Sequence, residues 1–206
     1  MMSGLMLVFL FIAIGFMIEV ESQKDAMKSV AESYRDSKAN LNENLYEEFE
    51  QDLNKWDAEI TKDNTIVFNS PDVLFAVNKS DIKDGFKTIL EDFFPRYLSI
   101  ITSAQYIDEI KEVRVEGHTS SEWGKTTSKE DIYLNNMKLS QSRSFKVLSF
   151  CYALNDATVI QNRPWLESYF RASGMAFAKL KEKSNSRRVE FSIVMKSEDM
   201  VYKILK

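Results

Sequence analysis

Val115-Glu116-Gly117-His118-Thr119-Ser120, then Tyr133-Leu134-Asn135-Asn136-Met137-Lys138-Leu139-Ser140-Gln141-Ser142-Arg143, then Ser186-Arg187-Arg188-Val189-Glu190-Phe191 are the stretches on which the reading of this chain turns. The first has the look of a strand that delivers Gly117 to a tight turn, where glycine permits close approach or positive φ. The turn offers backbone N–H groups and the hydroxyls of Thr119 and Ser120. In the second, Asn136, Leu139 (or Ser140) and Arg143 recur every three or four residues and share one face of a helix. Arg143 supplies a planar fork suited to a carboxylate. In the third, Val189, Phe191, Ile193 and Met195 alternate with Arg188, Glu190, Ser192 and Val194, as in a strand. A cleft built this way suits a small zwitterion or a peptide carboxylate.

The surrounding pattern extends this to an α/β domain. Asn64–Phe68 and Val73–Ala76 read as short strands flanking the turn signal Asn69-Ser70-Pro71. A helix is predicted from Asp81, with Phe86, Ile89, Leu90, Phe93 and Phe94 on one side, and Pro95 is expected to kink or interrupt it. Ile110, Val113 and Val115 suit a strand ending at Gly117. A polar loop from Ser120 to Lys129 leads to a second long helix over roughly Glu130–Leu154. Pro164 fits the first turn of a short helix through Phe170. Helices alternating with strands imply a small mixed-sheet α/β (α+β) sandwich.

Ahead of the domain lie two segments of different character. Residues 1–18, MMSGLMLVFLFIAIGFMI, carry no charge and measure roughly 27 Å as a helix, near the thickness of a hydrocarbon core. The stretch lacks the basic flank and small-residue cleavage site of a signal peptide, so a membrane span is expected. A span opening at Met1 has no flank to orient it, which leads to the expectation that Met1 is internal to a longer chain. Residues 19–63 hold 13 acidic and 6 basic side chains and no glycine or proline. Met27, Val30, Ala31, Tyr34, Leu41, Leu45, Phe49, Leu53, Trp56 and Ile60 follow helical spacing. That face suits either a helix lying on its own domain or a stalk that pairs two copies. Glu47-Glu48-Phe49-Glu50 reads as solvated helix surface. The expected organisation is therefore a transmembrane helix over 1–18, a stalk over 19–63 and a compact domain over 64–206.

Composition narrows the function further. The 206 residues carry a formal net charge of −4, which argues against nucleic-acid binding by bulk positive charge. One cysteine excludes an internal disulfide and multi-cysteine metal sites, and one histidine excludes two- and three-histidine zinc sites. Cys151 sits in an apolar helix with no nucleophile elbow nearby, so no catalysis is expected, nor any metal or cofactor. His118 is expected to be a turn residue whose ring is tied to neighbouring backbone. Arg187 and Arg188 are expected to alternate across a strand, one packed and one solvated, and Trp123 to be a recognition residue or a loop anchor.

The three stretches resemble the OmpA-like peptidoglycan-binding domain shared by outer-membrane OmpA, Pal and the flagellar stator subunit MotB. The family pattern is a Gly-His-Thr-Asp turn, then Asn-x-x-Leu-Ser-x-x-Arg on a helix, then a late Asn-Arg-Arg-Val strand. Here it stands as Gly117-His118-Thr119-Ser120, Asn136-x-x-Leu139-Ser140-x-x-Arg143 and Ser186-Arg187-Arg188-Val189. In the family, the turn aspartate and the helix arginine hold the amine and carboxylate of diaminopimelate in the wall stem peptide. The resemblance implies a peptidoglycan site made of Thr119, Ser120, Asn136, Leu139 and Arg143. Ser120 replaces the aspartate and gives no charge pairing, a loss for which Glu122 or Asp131 would have to compensate.

The membrane end resembles MotB as well, with Met1–Leu10 aligning just after the aspartate that carries protons in that family. That acid would then precede Met1. An acid at such a depth is a functional site by default. The order of parts looks most like the MotB-like subunits of Zorya antiphage systems. The resemblance implies a single-pass inner-membrane protein with its C-terminal domain in the periplasm. It also implies a homodimer within a five-subunit MotA/ZorA-like membrane partner, working as the wall-anchored stator of a proton-driven motor. The alternatives are a flagellar MotB-like stator and a passive envelope tether that binds peptidoglycan without moving ions.

Overall fold

The computed structural model describes residues 2–121, 128–180 and 186–196. Glu122 and Trp123 lie outside them. The chain divides into two units, and Lys38–Lys196 is the compact one. Helix α1 spans Met2–Trp56 and contributes to both.

In the first unit the apolar side chains of α1 are exposed, Phe9, Phe11, Phe16 and Ile18 among them. This is the one helix among the described residues that is long and apolar enough to cross a membrane. Met27 and Val30 on the following turns are also exposed.

Within the compact unit, the end of α1 is part of the core. Leu41, Leu45 and Phe49 are fully buried. Of the two readings of the apolar face, these turns therefore follow the helix that lies on its own domain. Phe49 packs on Phe93 with ring centroids 5.2 Å apart. Arg96 pins the helix from outside. It donates to Glu48 Oε1 (2.6 Å) and Asp52 Oδ2 (3.0 Å) and covers the Phe49 ring at 4.9 Å. Glu48 is thus an ion-pair partner rather than plain solvated surface. The helix ends at Trp56 because Asp57 turns to φ 49° and starts the chain back toward the sheet.

The sheet has five strands in the order β1-β2-β5-β3-β4. They are β1 (Ala58–Ile60), β2 (Thr65–Phe68), β3 (Ile110–His118), β4 (Phe170–Ala176) and β5 (Val189–Met195). All neighbours are antiparallel except β3 and β4, which run parallel. Cross-strand partners Val115 and Phe191 lie on one face, and the next pair, Glu116 and Glu190, on the other. Phe191 is the hub of the apolar face. It makes ring contacts with Phe68, Phe93, Phe94, Tyr97 and Phe170. Helices α3 (Asp84–Ile101) and α4 (Lys129–Ala153) complete this layer, with α5 (Ala157–Gln161) and α6 (Arg163–Tyr169) leading into β4. The architecture is the mixed-sheet α/β sandwich expected from the sequence.

Several elements differ from expectation for identifiable reasons. Val73–Ala76 is not a strand. Ser70 O accepts from the N–H groups of Val73 and Leu74, closing the one-turn helix α2 (Pro71–Leu74), and Phe75 makes only an isolated bridge to Ile82. Helix α3 starts at Asp84 rather than Asp81, and it runs through Pro95 without ending. Strands β1 and β4 carried no sequence signal: β1 is three residues long, and β4 reads Phe-Arg-Ala-Ser-Gly-Met-Ala, without alternation.

Phe49→Ala is expected to destabilise the compact unit by about 3–5 kcal/mol, the cost of removing a buried aromatic ring. Met27→Ala, at an exposed position, is expected to leave its denaturant midpoint unchanged. Urea unfolding followed by tryptophan fluorescence checks both.

Candidate functional site

The three motifs converge where α4 lies against the ends of β3 and β4. Gly117 and Gly174 are cross-strand partners. A methyl group at Gly117 would run into the Ser140 carbonyl oxygen, and one at Gly174 would sit 2.7 Å from Gln141 N. Close approach, not positive φ, is what demands glycine here. The gap is bridged by polar bonds. Ala176 N–H donates to Ser140 Oγ at 3.0 Å, and Gly174 N–H donates to Gln141 Oε1 at 2.7 Å. Helix α4 is started by Ser128, whose Oγ accepts from Asp131 N–H. The Asp131 carboxylate is engaged by the same Ser128 hydroxyl at 2.8 Å, which makes it a capping group rather than a stand-in for the turn aspartate.

From this helix Arg143 reaches inward and is 6% exposed. Its Nε donates to Lys79 O at 2.9 Å and one terminal nitrogen to Ala76 O at 3.4 Å. Its guanidinium covers the Phe75 ring at 4.8 Å. Burial, with the Arg187 cation adding to it, lowers the guanidinium to about 10, so it stays charged at neutral pH. Arg143, Arg187 and Arg188 line one small cleft with Leu74–Val77. The helix motif and the late-strand motif thus meet around a small recess to which Arg143 and Arg187 bring positive charge, while Arg188 is paired with Glu190.

The other expected site residues sit as follows. Asn136 is buried, and its Nδ2 donates to Ile132 O one turn back. Leu139 and Ser120 are half-buried. Thr119 is buried, with its N–H on Ala176 O at 2.8 Å and its hydroxyl without a hydrogen-bond partner. Cys151 is fully buried in α4, and burial pushes its thiol well above the usual range.

The face of the sheet opposite Phe191 holds a group that reading the sequence missed. Glu116, His118 and Glu190 are all buried, and Glu116 and Glu190 stand directly across from one another. His118 does not tie its ring to backbone as expected. Neither ring nitrogen has a hydrogen-bond partner, and Nε2 lies 3.7 Å from Glu116 Oε2 and 3.5 Å from Glu190 Oε2. Arg188 Nε donates to Glu190 Oε1, and Lys179 Nζ sits 3.4 Å from Glu116 Oε2. Arg188 is thus a structural partner. His118 beside Glu116 lowers that carboxyl against its burial, with Lys179 helping. Burial works to raise Glu190, but His118 and Arg188 outweigh it and bring the carboxyl down to about 2. The available sequence signal was two carboxylates at in-register positions next to core residues, Glu116 beside Val115 and Glu190 beside Phe191.

The structure is a mixed-sheet α/β domain that follows an apolar helix of membrane-spanning length. The Zorya protein ZorB of Escherichia coli is 40% identical over 213 aligned residues, covering 100% of this chain and 89% of the relative. The chain belongs to that family. A putative MotB-like protein from Desulfovibrio vulgaris shares the fold, with a TM-score of 0.50 and 15% identity over 82% of this chain and 99% of that one. The cell wall anchor of the type VI secretion system from Pseudomonas aeruginosa aligns at a TM-score of 0.47 with 21% identity, over 74% and 97% of the two chains. No family model matches the sequence.

Gly117→Ala is expected to cost about 1–3 kcal/mol, because the clash is with helix backbone that cannot step aside. Gly85→Ala, whose new methyl meets only Val73 Cγ1 at 3.5 Å on the first turn of α3, is expected to be neutral or mildly stabilising. Thermal melts of the two variants side by side distinguish a packing requirement from a general intolerance of alanine.

Proposed function

We propose that this chain is the wall-anchored, MotB-like stator subunit of a proton-driven inner-membrane motor in Zorya-type antiphage defence. The observation that carries the reading is the match to ZorB at 40% identity over the whole of this sequence and 89% of the relative. In this reading, residues 1–18 cross the inner membrane and the stretch beyond them is a stalk. The segment to Ser37 keeps its apolar face for a second copy of the chain within a ring of five MotA/ZorA-like subunits. The compact unit is periplasmic and holds peptidoglycan. A tether resists torque only if both its ends are held, so the apolar helix and the wall site are needed together.

The wall site is assigned to Arg143 as carboxylate partner, with Thr119, Ser120, Asn136 and Leu139 around it. What supports this is the small recess lined by Arg143, Arg187 and Arg188, to which Arg143 and Arg187 bring positive charge. The bonds from Arg143 to Lys79 O and Ala76 O orient its fork and also hold the wall of the recess. Ser120 offers a neutral hydroxyl to the stem-peptide amine, so binding by this chain is weaker than an aspartate at that position would give.

The test is co-sedimentation of the full chain, in detergent, with purified peptidoglycan sacculi. Arg143→Ala is expected to abolish pelleting. Ser120→Asp is expected to strengthen it by about 10-fold, the worth of one charge-assisted hydrogen bond. A control without sacculi separates a gain of binding from aggregation. Pelleting that is indifferent to both substitutions overturns the assignment.

A further inference from the structure

We infer that Glu116, His118 and Glu190 form a binding site for a single divalent transition-metal ion of the zinc type. This goes beyond the stator reading and does not rest on it.

The argument starts from a pair of like charges. Glu116 and Glu190 are cross-strand partners, and both are more than nine-tenths buried. Two carboxylates directly opposite one another repel, and burial removes the water that would screen them. Arg188 Nε donates to Oε1 of Glu190. Lys179 reaches only Glu116, and its side chain is 58% exposed. The two Oε2 atoms are turned toward the third member, His118, which is 1% exposed and has no hydrogen-bond partner on either ring nitrogen.

The distances favour an ion over a hydrogen bond. At 3.5 and 3.7 Å, Nε2 is too far from either carboxylate for a good N–H···O bond. With ligand bonds of about 2.0–2.1 Å, neighbouring ligand atoms around a tetrahedral zinc lie roughly 3.4 Å apart. Donor atoms from the three residues fall within 4.8 Å of one another, so a side-chain adjustment closes them on one centre. One imidazole and two carboxylates are an N/O set that suits zinc and its first-row neighbours. With Lys179 turned to solvent, the Glu116 charge is free for the ion, while Glu190 shares its charge between the ion and Arg188. The ion would cross-link β3 to β5 immediately before Thr119 and Ser120. It would thereby hold the turn that precedes the recess.

The single histidine makes the test specific. Full-length chain, purified without a polyhistidine tag and stripped with EDTA, is titrated with ZnCl2 by calorimetry. One ion per chain is expected, with submicromolar affinity, a higher Tm, and at least about 100-fold weaker binding in His118→Gln. A variant that fails to fold is bypassed on the wild-type protein. The one histidine side chain, labelled with 15N, is expected to shift with one equivalent of Zn2+ and to stop titrating with pH. The inference is overturned if the wild type binds no zinc saturably, if His118→Gln binds as well as wild type, or if the imidazole still titrates freely in excess zinc.

Discussion

Helix α4 touches the sheet through bare backbone, and most of what distinguishes this domain depends on that contact. Two glycines on adjacent strands, Gly117 and Gly174, leave no room for a side chain between strand and helix. Ser140 and Gln141 then bond across the gap to Ala176 and Gly174. The helix is fixed in height and rotation, because an error of one residue in register would exchange these hydroxyl and amide contacts for bulkier side chains. Arg143 lies one turn further along the same helix, so its place in the recess follows from the glycine contact rather than from its own bonds.

The two faces of the sheet are held by different physics. On one, Phe191 gathers aromatic rings from β2, α3 and β4, and burial of apolar surface supplies the stability. The last turns of α1 join this layer through Phe49, so the helix that begins in the apolar N-terminal stretch ends as a component of the core. On the other, Glu116, His118, Arg188 and Glu190 are buried, and each charge has to be answered locally. Arg188 answers Glu190 and Lys179 answers Glu116, and this group lies at the strand ends that deliver the recess.

Reading the sequence succeeded where the signal is local or periodic. The uncharged run to Ile18, the helical spacing in α3 and α4, and the alternation of Val189, Phe191, Ile193 and Met195 each declare an element without reference to the rest of the chain. Three short motifs in fixed order were enough for the fold class. It failed at β1 and β4, which are held in place by partners rather than by pattern. It also failed at Val73–Ala76, where apolar residues serve a one-turn helix and a bridge instead of a strand.

By itself, the sequence determined an uncharged apolar run, a charged stretch with helical spacing and an alternation of strands and helices beyond it, since hydrophobic periodicity and charge runs act over a few neighbouring residues. Only the tertiary structure decided that Leu41, Leu45 and Phe49 belong to the domain core and that Met27 and Val30 stay exposed, although both sets share one spacing. Only the fold could set Glu116 against Glu190, because 74 residues of chain separate them and the pairing of β3 with β5 alone makes them neighbours. Contacts between residues that far apart are written in the shape of the packed sheet, and no local pattern of residues encodes them.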